Sequence, residues 1–166
     1  MLYLKDYACE GDMPKGARTG SADRVCWYAV DHAAVRVYAL SPPDDMTGWQ
    51  SLLPLIELAG HSSGLSANFH YVVETDVPET MDLELNKWYA QEHLPGLAKV
   101  PGTIRASRFM RVAGSPKYFA CYDLASADPL TRSEWLAVRN TEWSSRVRPH
   151  FQNTRRTLYC AHRPPA

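Results

Sequence analysis

The sequence predicts an α+β fold, one antiparallel sheet with its helices gathered on a single face. Three observations carry that prediction. Four runs after residue 68 place apolar side chains at alternate positions, the two-residue period of a strand. Two other runs carry helix-start signals and apolar residues at three- and four-residue spacings. Turn residues separate all of these runs, and their order along the chain is β-α-β-β-α-β.

Taken from the N-terminus, residues 1 to 23 are punctuated by Gly11, Pro14, Gly16 and Gly20 and show no period, which predicts an irregular arm. Short strands are expected over Arg24 to Val30 and Ala34 to Leu40. Asp45 then reads as the N-cap of a helix over Met46 to Leu58, in which Trp49, Leu52, Leu53 and Ile56 fall at helical spacing and Pro54 marks a kink. The loop Gly60 to Ser66 divides the chain into residues 1–66, an arm plus a partial ββα extension, and residues 67–166, a complete module. Tyr38-Ala39-Leu40, Asp44 and Thr47 match Tyr122-Asp123-Leu124, Asp128 and Thr131 at an offset of 84 residues, as a degenerate internal repeat would.

The central strand of the module covers Phe69 to Thr75. Phe69, Tyr71 and Val73 share one face; His70, Val72 and Glu74 share the other. A turn at Asp76-Val77-Pro78 leads to a helix from about Met81, with Thr80 as N-cap and Asp82 and Glu84 in the first turn, where the helix dipole favours negative charge. Leu85, Trp88, Tyr89, Glu92 and His93 lie on one side of it, and Pro95-Gly96 is expected to break it. The strand Thr103 to Val112, a hairpin turn at Ala113 to Pro116 and the strand Lys117 to Leu124 follow. In the last of these Tyr118, Ala120 and Tyr122 oppose Phe119, Cys121 and Asp123. Asp128-Pro129 starts the second helix, Pro149 ends it, and Thr154 to Ala161 is the final strand before a tail, 162–166, expected to fray. This is the ferredoxin-like split βαβ arrangement, with the expected strand order 4-1-3-2.

Composition narrows the function. The 18 basic and 18 acidic residues cancel, so no global field draws nucleic acid or an anionic membrane. A hydrophobic content of 45% is enough for a real core. No run has the apolar length of a bilayer span and the first residues are no signal peptide, which makes the cytoplasm the expected location. Cys9, Cys26, Cys121 and Cys160 lack metal-site spacing; Cys121 and Cys160 read as small apolar residues within strands. His61, His70 and His93 fit no metal-ligand signature, and no metal is expected.

The string Trp88 to Phe109, WYAQEHLPGLAKVPGTIRASRF, resembles the EthD-like branch of the dimeric α/β-barrel superfamily. Trp88, Tyr89, Glu92, His93, Leu94, Pro95, Val100, Pro101, Gly102, Arg105 and Arg108 carry the resemblance, and Tyr118 to Tyr122 is similar to the strand that follows. It implies two sheets pairing across a homodimer around a small cavity. It also implies catalysis without a cofactor among many possible chemistries, because fold says little about reaction.

Candidate site residues follow from the alternation. With Phe69, Tyr71 and Val73 under the helices, His70 and Glu74 point into the lumen, where apolar walls prepare ionisable groups for acid-base work. The competing reading has them bonded to each other or across an interface. His93 joins them as a catalytic candidate, or it satisfies carbonyls at its helix end. Trp88 and Tyr89 are either core aromatics or pocket lining; Arg105 is either an anion holder or a partner in a strand-face ion pair. Phe109, Tyr118 and Tyr122 complete the ligand-binding candidates. The function expected is acid-base chemistry on a small cyclic or aromatic metabolite, as in an isomerase, cyclase, lyase or monooxygenase. A binding or interaction module of the same fold is the alternative.

Overall fold

The computed structural model describes residues 1–8, 10–13 and 23–162. Cys9 and residues 14–22 of the expected irregular arm, and the last four residues of the tail (163–166), lie outside the described residues.

The elements are β1 (Leu2–Tyr7), β2 (Arg24–Ala29), β3 (Val35–Ala39), β4 (Gln50–Ala59), β5 (Phe69–Asp76), α1 (Asp82–Trp88), a π-helical turn (Tyr89–His93), α2 (Leu94–Ala98), β6 (Thr103–Arg111), β7 (Tyr118–Leu124), α3 (Ser133–Arg139), α4 (Glu142–Val147) and β8 (Gln152–Cys160). The strands form one closed antiparallel barrel in the order β1-β3-β2-β8-β5-β7-β6-β4, with β4 returning to β1. The C-terminal four run β8-β5-β7-β6, which is the expected 4-1-3-2 order of an α+β ferredoxin-like module. The N-terminal four repeat it as β4-β1-β3-β2.

That second set of four overturns two expectations. The arm begins with a true strand, β1, paired to β3 and β4. The segment read as the helix Met46 to Leu58 is β4, paired to β1 and β6. The reason is a β-bulge between Pro54 and Ile56. Before it Leu52 faces the lumen; after it Ile56 and Leu58 pack under the helices. A strand that switches faces midway places its apolar residues three and four apart, which imitates a helix. Pro54 has no N–H to give a ladder, and it is tolerated beside the bulge where a helix interior would lose about 3 kcal/mol. Asp45 caps no helix: its Oδ1 accepts from the Thr47 N–H at 2.8 Å and makes a turn into β4.

Four strands from each half close the barrel inside one chain, so the pairing of two sheets that the resemblance assigned to a homodimer is made within a single chain. The repeat is visible as strand order. The offset of 84 residues, however, pairs Tyr38, which faces the lumen, with Tyr122, which faces the helices.

Among the described residues, the α-helices cover the outer face of the C-terminal half. Leu85, Trp88, Tyr89, Leu94, Leu97, Trp135 and Val147 pack there on Ala106, Tyr118, Ala120 and Tyr122, with Phe69, Tyr71 and Val73 beneath them as expected. Each fully buried leucine in this layer contributes roughly 1.5–3 kcal/mol. Pro95-Gly96 does not break the first helix. The Leu94 N–H bonds the Tyr89 carbonyl five residues back, and this wider turn seats Pro95 at the start of α2, where its missing N–H costs nothing. Thr80 makes no cap and lies in a short 3₁₀ turn. The second helix divides into α3 and α4, and Thr141 caps the latter by accepting from the Ser144 N–H.

Candidate functional site

Strand alternation sends His70, Val72 and Glu74 into the lumen, and the three sample three layers of it. Val72 belongs to the middle layer, where Leu4, Leu52, Phe119 and Tyr159 fill the barrel. Glu74 lies about 13 Å along the strand from His70, at 3.3 Å per residue. It is 1% exposed, accepts from Arg36 Nη2 at 2.7 Å, and holds Arg155 Nη2 through both oxygens at 2.9 Å. Arg36 also donates to both oxygens of Asp6 at 2.7 Å. Glu74 is thus locked in an ion-pair layer and is not beside His70 as the sequence reading placed it.

His70 sits at the other end, facing a cavity of about 370 Å³ lined by Trp27, Tyr38, Pro54, Phe109, Cys121 and Asp123 among others. The β5–β7 register sets His70 directly opposite Asp123, and Nδ1 lies 2.6 Å from Asp123 Oδ1. On the far side of the ring, Nε2 lies 3.0 Å from the Tyr38 hydroxyl. Trp27 stacks on the imidazole at 4.9 Å between centroids and 19° between planes. In the tautomer that donates from Nδ1 to Asp123, Nε2 is left to accept from the Tyr38 hydroxyl. Arg105 clamps the second Asp123 oxygen with Nε at 2.9 Å and Nη2 at 2.7 Å, and its side chain is 51% exposed at the cavity mouth.

Electrostatics suit this chain of groups. Burial pushes the Asp123 carboxyl upward, but the His70 hydrogen bond and Arg105 outweigh it and hold the group below the usual carboxylate range. Burial, with a smaller contribution from neighbouring Cys121, drives the Tyr38 hydroxyl well above the ordinary tyrosine range, so it stays a neutral donor. Burial likewise pushes the Cys121 thiol up to about 12, so Cys121 is an inert wall.

The other candidates divide between the two sides of the sheet. Arg105 and Phe109 line the His70 cavity. His93, Trp88, Tyr89, Tyr118 and Tyr122 are on the helix-covered face, in the core under the helices. His93 stacks on Trp88 at 4.1 Å, and burial, with Arg148, Arg139 and Arg108 nearby, depresses its pKa to about 3. His70 and His93 therefore do not share a site. Arg108 is buried between Tyr89 and Tyr118 and donates to Asn86 Oδ1 at 2.8 Å. His61, in the loop after β4, contacts Ser62.

Sequence reasoning missed Asp123, Tyr38 and Trp27. Asp123 was already on the lumen face of its strand with Phe119 and Cys121, and only the β5–β7 pairing was needed to bring it to His70. Tyr38 and Trp27 come from strands that were recognised but not placed. Their signal would have been the alternation of β2 and β3 read against a closed barrel.

No protein-family model matches the sequence, and no curated protein matches it. Solved structures do. A ferredoxin-fold protein from Listeria monocytogenes related to antibiotic biosynthesis monooxygenases matches at TM-score 0.63 and 10% identity, covering 99% of this chain and 96% of that one. A heme-degrading enzyme from the same organism matches at 0.59 and 9%, covering 98% and 99%. An anthrone oxidase-like protein matches at 0.62 and 12%, covering 97% and 90%. At these identities the likeness establishes the fold, that of the ferredoxin-like proteins related to antibiotic biosynthesis monooxygenases. Among the described residues no helix is long and apolar enough to cross a membrane.

Proposed function

We propose that the lumen cavity is the active site of an enzyme that moves a proton on a small cyclic or aromatic metabolite, without a cofactor. The observation that carries this reading is the hydrogen-bonded chain Asp123–His70–Tyr38 ending at a largely apolar cavity. Its volume of about 370 Å³ falls within the span of small-molecule sites, roughly 300–1,000 Å³. Trp27 and Phe109 offer aromatic surface to a ring, and Arg105 at the mouth offers a cation to an anionic substituent.

In the step proposed, the substrate gives up a proton from an O–H, or from a C–H next to a carbonyl, to the Tyr38 oxygen. The Tyr38 proton passes in the same event to His70 Nε2, and the imidazolium formed is held by the Asp123 carboxylate. Reversal of the relay onto a different substrate atom completes an isomerisation with no net change in protons. The enolate left in the first half is also the species from which a monooxygenase-type reaction with dioxygen would start. The Trp88–Phe109 string supports a place near the EthD-like branch, and the anthrone oxidase-like neighbour suggests a first probe.

Anthrone has an acidic methylene that its ketone activates through the fused rings from across the central ring, and proton loss there gives the aromatic anthrolate. In heavy water the protein should accelerate loss of its methylene proton signal, and His70→Ala and Tyr38→Phe should each reduce that acceleration by roughly 10²–10⁴-fold, the span of general acid-base effects. Undiminished exchange in both variants would remove the relay from the mechanism. A second reading, binding without turnover, is favoured by one feature: Tyr38 already occupies the lone pair of His70. It predicts that anthrone quenches Trp27 fluorescence while exchange stays at the uncatalysed rate.

A further inference from the structure

The helix-covered side of the sheet holds a second pocket that the proposed reaction does not use. The pocket is small, about 30 Å³ in all, room for one water or one ligand oxygen, so that a larger anion would sit at its rim. Three buried polar atoms on residues that line it have no hydrogen-bond partner: Trp88 Nε1, His93 Nδ1 and the Tyr122 hydroxyl. The three residues are 1%, 7% and 1% exposed. Leaving such groups unsatisfied costs about 1–3 kcal/mol each, so their convergence on one pocket marks a place built for something polar.

The rim supplies the sign of the charge. Arg139, Arg148 and Arg156 line the same pocket, and among the described residues none of them forms an ion pair. Arg148 Nη1 donates only to the Arg139 carbonyl at 3.2 Å. Three guanidinium groups around one opening repel each other, and no carboxylate lines the pocket to relieve them. The acids on the neighbouring helices are engaged elsewhere: Glu92 with Thr141 and Glu84 with the Trp143 indole.

From this arrangement we infer a binding site for a phosphate-sized oxyanion, with the arginines 139, 148 and 156 as its cationic rim and Trp88, Tyr122 and His93 as its polar floor. A dianion offsets more of the rim charge than a carboxylate does. Its several oxygens meet the arginines while one reaches the floor, directly or through a single water. Trp88 and Tyr122 donate to that oxygen, and neutral His93, whose ring is already hydrogen-bonded to the Val138 backbone, takes part at Nδ1 as an acceptor from a bridging water or a protonated anion oxygen. Burial first, and then Arg148 and Arg139, lower the His93 pKa, which agrees with a buried floor beneath a cationic rim. The ligand is either free phosphate or the phosphate of a monoester, and the open rim accommodates both.

The test is isothermal titration of the full chain with inorganic phosphate and separately with phenyl phosphate, at constant ionic strength. It is paired with proton–nitrogen spectra of the tryptophan indoles. Saturable one-to-one binding is expected, with a shift of the one indole signal that Trp88→Phe removes. Arg139→Gln and Arg156→Gln should each weaken binding by roughly tenfold, about 1.4 kcal/mol. His70→Ala should leave it unchanged, which keeps this outcome separate from that of the proposed reaction. Binding of both probes identifies a phosphomonoester site, and binding of inorganic phosphate alone identifies a free-phosphate site; either supports the inference. The inference fails if neither probe saturates the unaltered protein, if the Trp88 indole does not move, or if the Arg139→Gln/Arg156→Gln double variant binds as well as the original.

Discussion

His93 stacks on Trp88 with 4.1 Å between ring centroids in a buried layer, and that burial has a pH signature. Its pKa falls from 6.5 to about 3, so the folded chain keeps it neutral over a range in which the unfolded chain protonates it. A histidine depressed by burial contributes stability that is complete above its ordinary pKa and lost as pH falls toward the folded value. The slope approaches 1.4 kcal/mol per pH unit at most. Asp123 and Asp76 also have lowered values, but their contributions are lost only below the ordinary carboxylate range. Thermal melts between pH of about 7 and about 4.5 should therefore isolate the histidine. The melting temperature should fall across that window in the original chain and stay nearly level in His93→Gln. An equal fall in both would assign the slope to another group.

At the scale of elements, β4 and its end decide whether the halves join. Gly60 follows it with its N–H on the Ile104 carbonyl at 2.8 Å, and a Cβ there would stand 2.2 Å from the Thr103 carbonyl oxygen. Backbone cannot yield as a flexible side chain can. Gly60→Ala should destabilise the chain by about 1–3 kcal/mol or more, measured by denaturant unfolding. The elements after residue 68 were legible because each carries a local signal: alternation in β5, β6 and β7, and Pro129 near the start of the second helical region. β4 was not, because its bulge erases the period that would have revealed it. The Asp123–His70 contact depends on register between strands 53 residues apart, which no local pattern encodes. The Glu74 ion pairs depend on Arg36 and Asp6, from strands whose partners could be found only once the barrel was closed.

For the whole molecule, closure of the barrel by β2–β8 and β4–β6 pairing means that every strand has two neighbours without help from another chain. The cavity is complete in 18.7 kDa of protein. Affinity for a lumen ligand such as anthrone, and the melting temperature, should therefore be the same across a hundredfold dilution, whereas a site shared between copies would weaken by mass action. Dilution-dependent affinity in fluorescence titrations would show that a second copy contributes to the pocket.

The duplicated strand order also frees the two halves from each other. In a barrel made of two identical chains, any residue turned inward on one side must appear again across the axis, so each lumen group comes with its double. Here β3 turns Tyr38 inward and β2 turns Trp27, while β5 and β7 bring His70 and Asp123 to meet them. The members of this hydrogen-bonded chain are thus divided between halves that need not match. The far end, where Arg36 and Glu74 neutralise each other, is spared a second copy of the same machinery. The lumen has one end with an apolar cavity and one end filled by ion pairs, and a saturating lumen ligand should count one per chain.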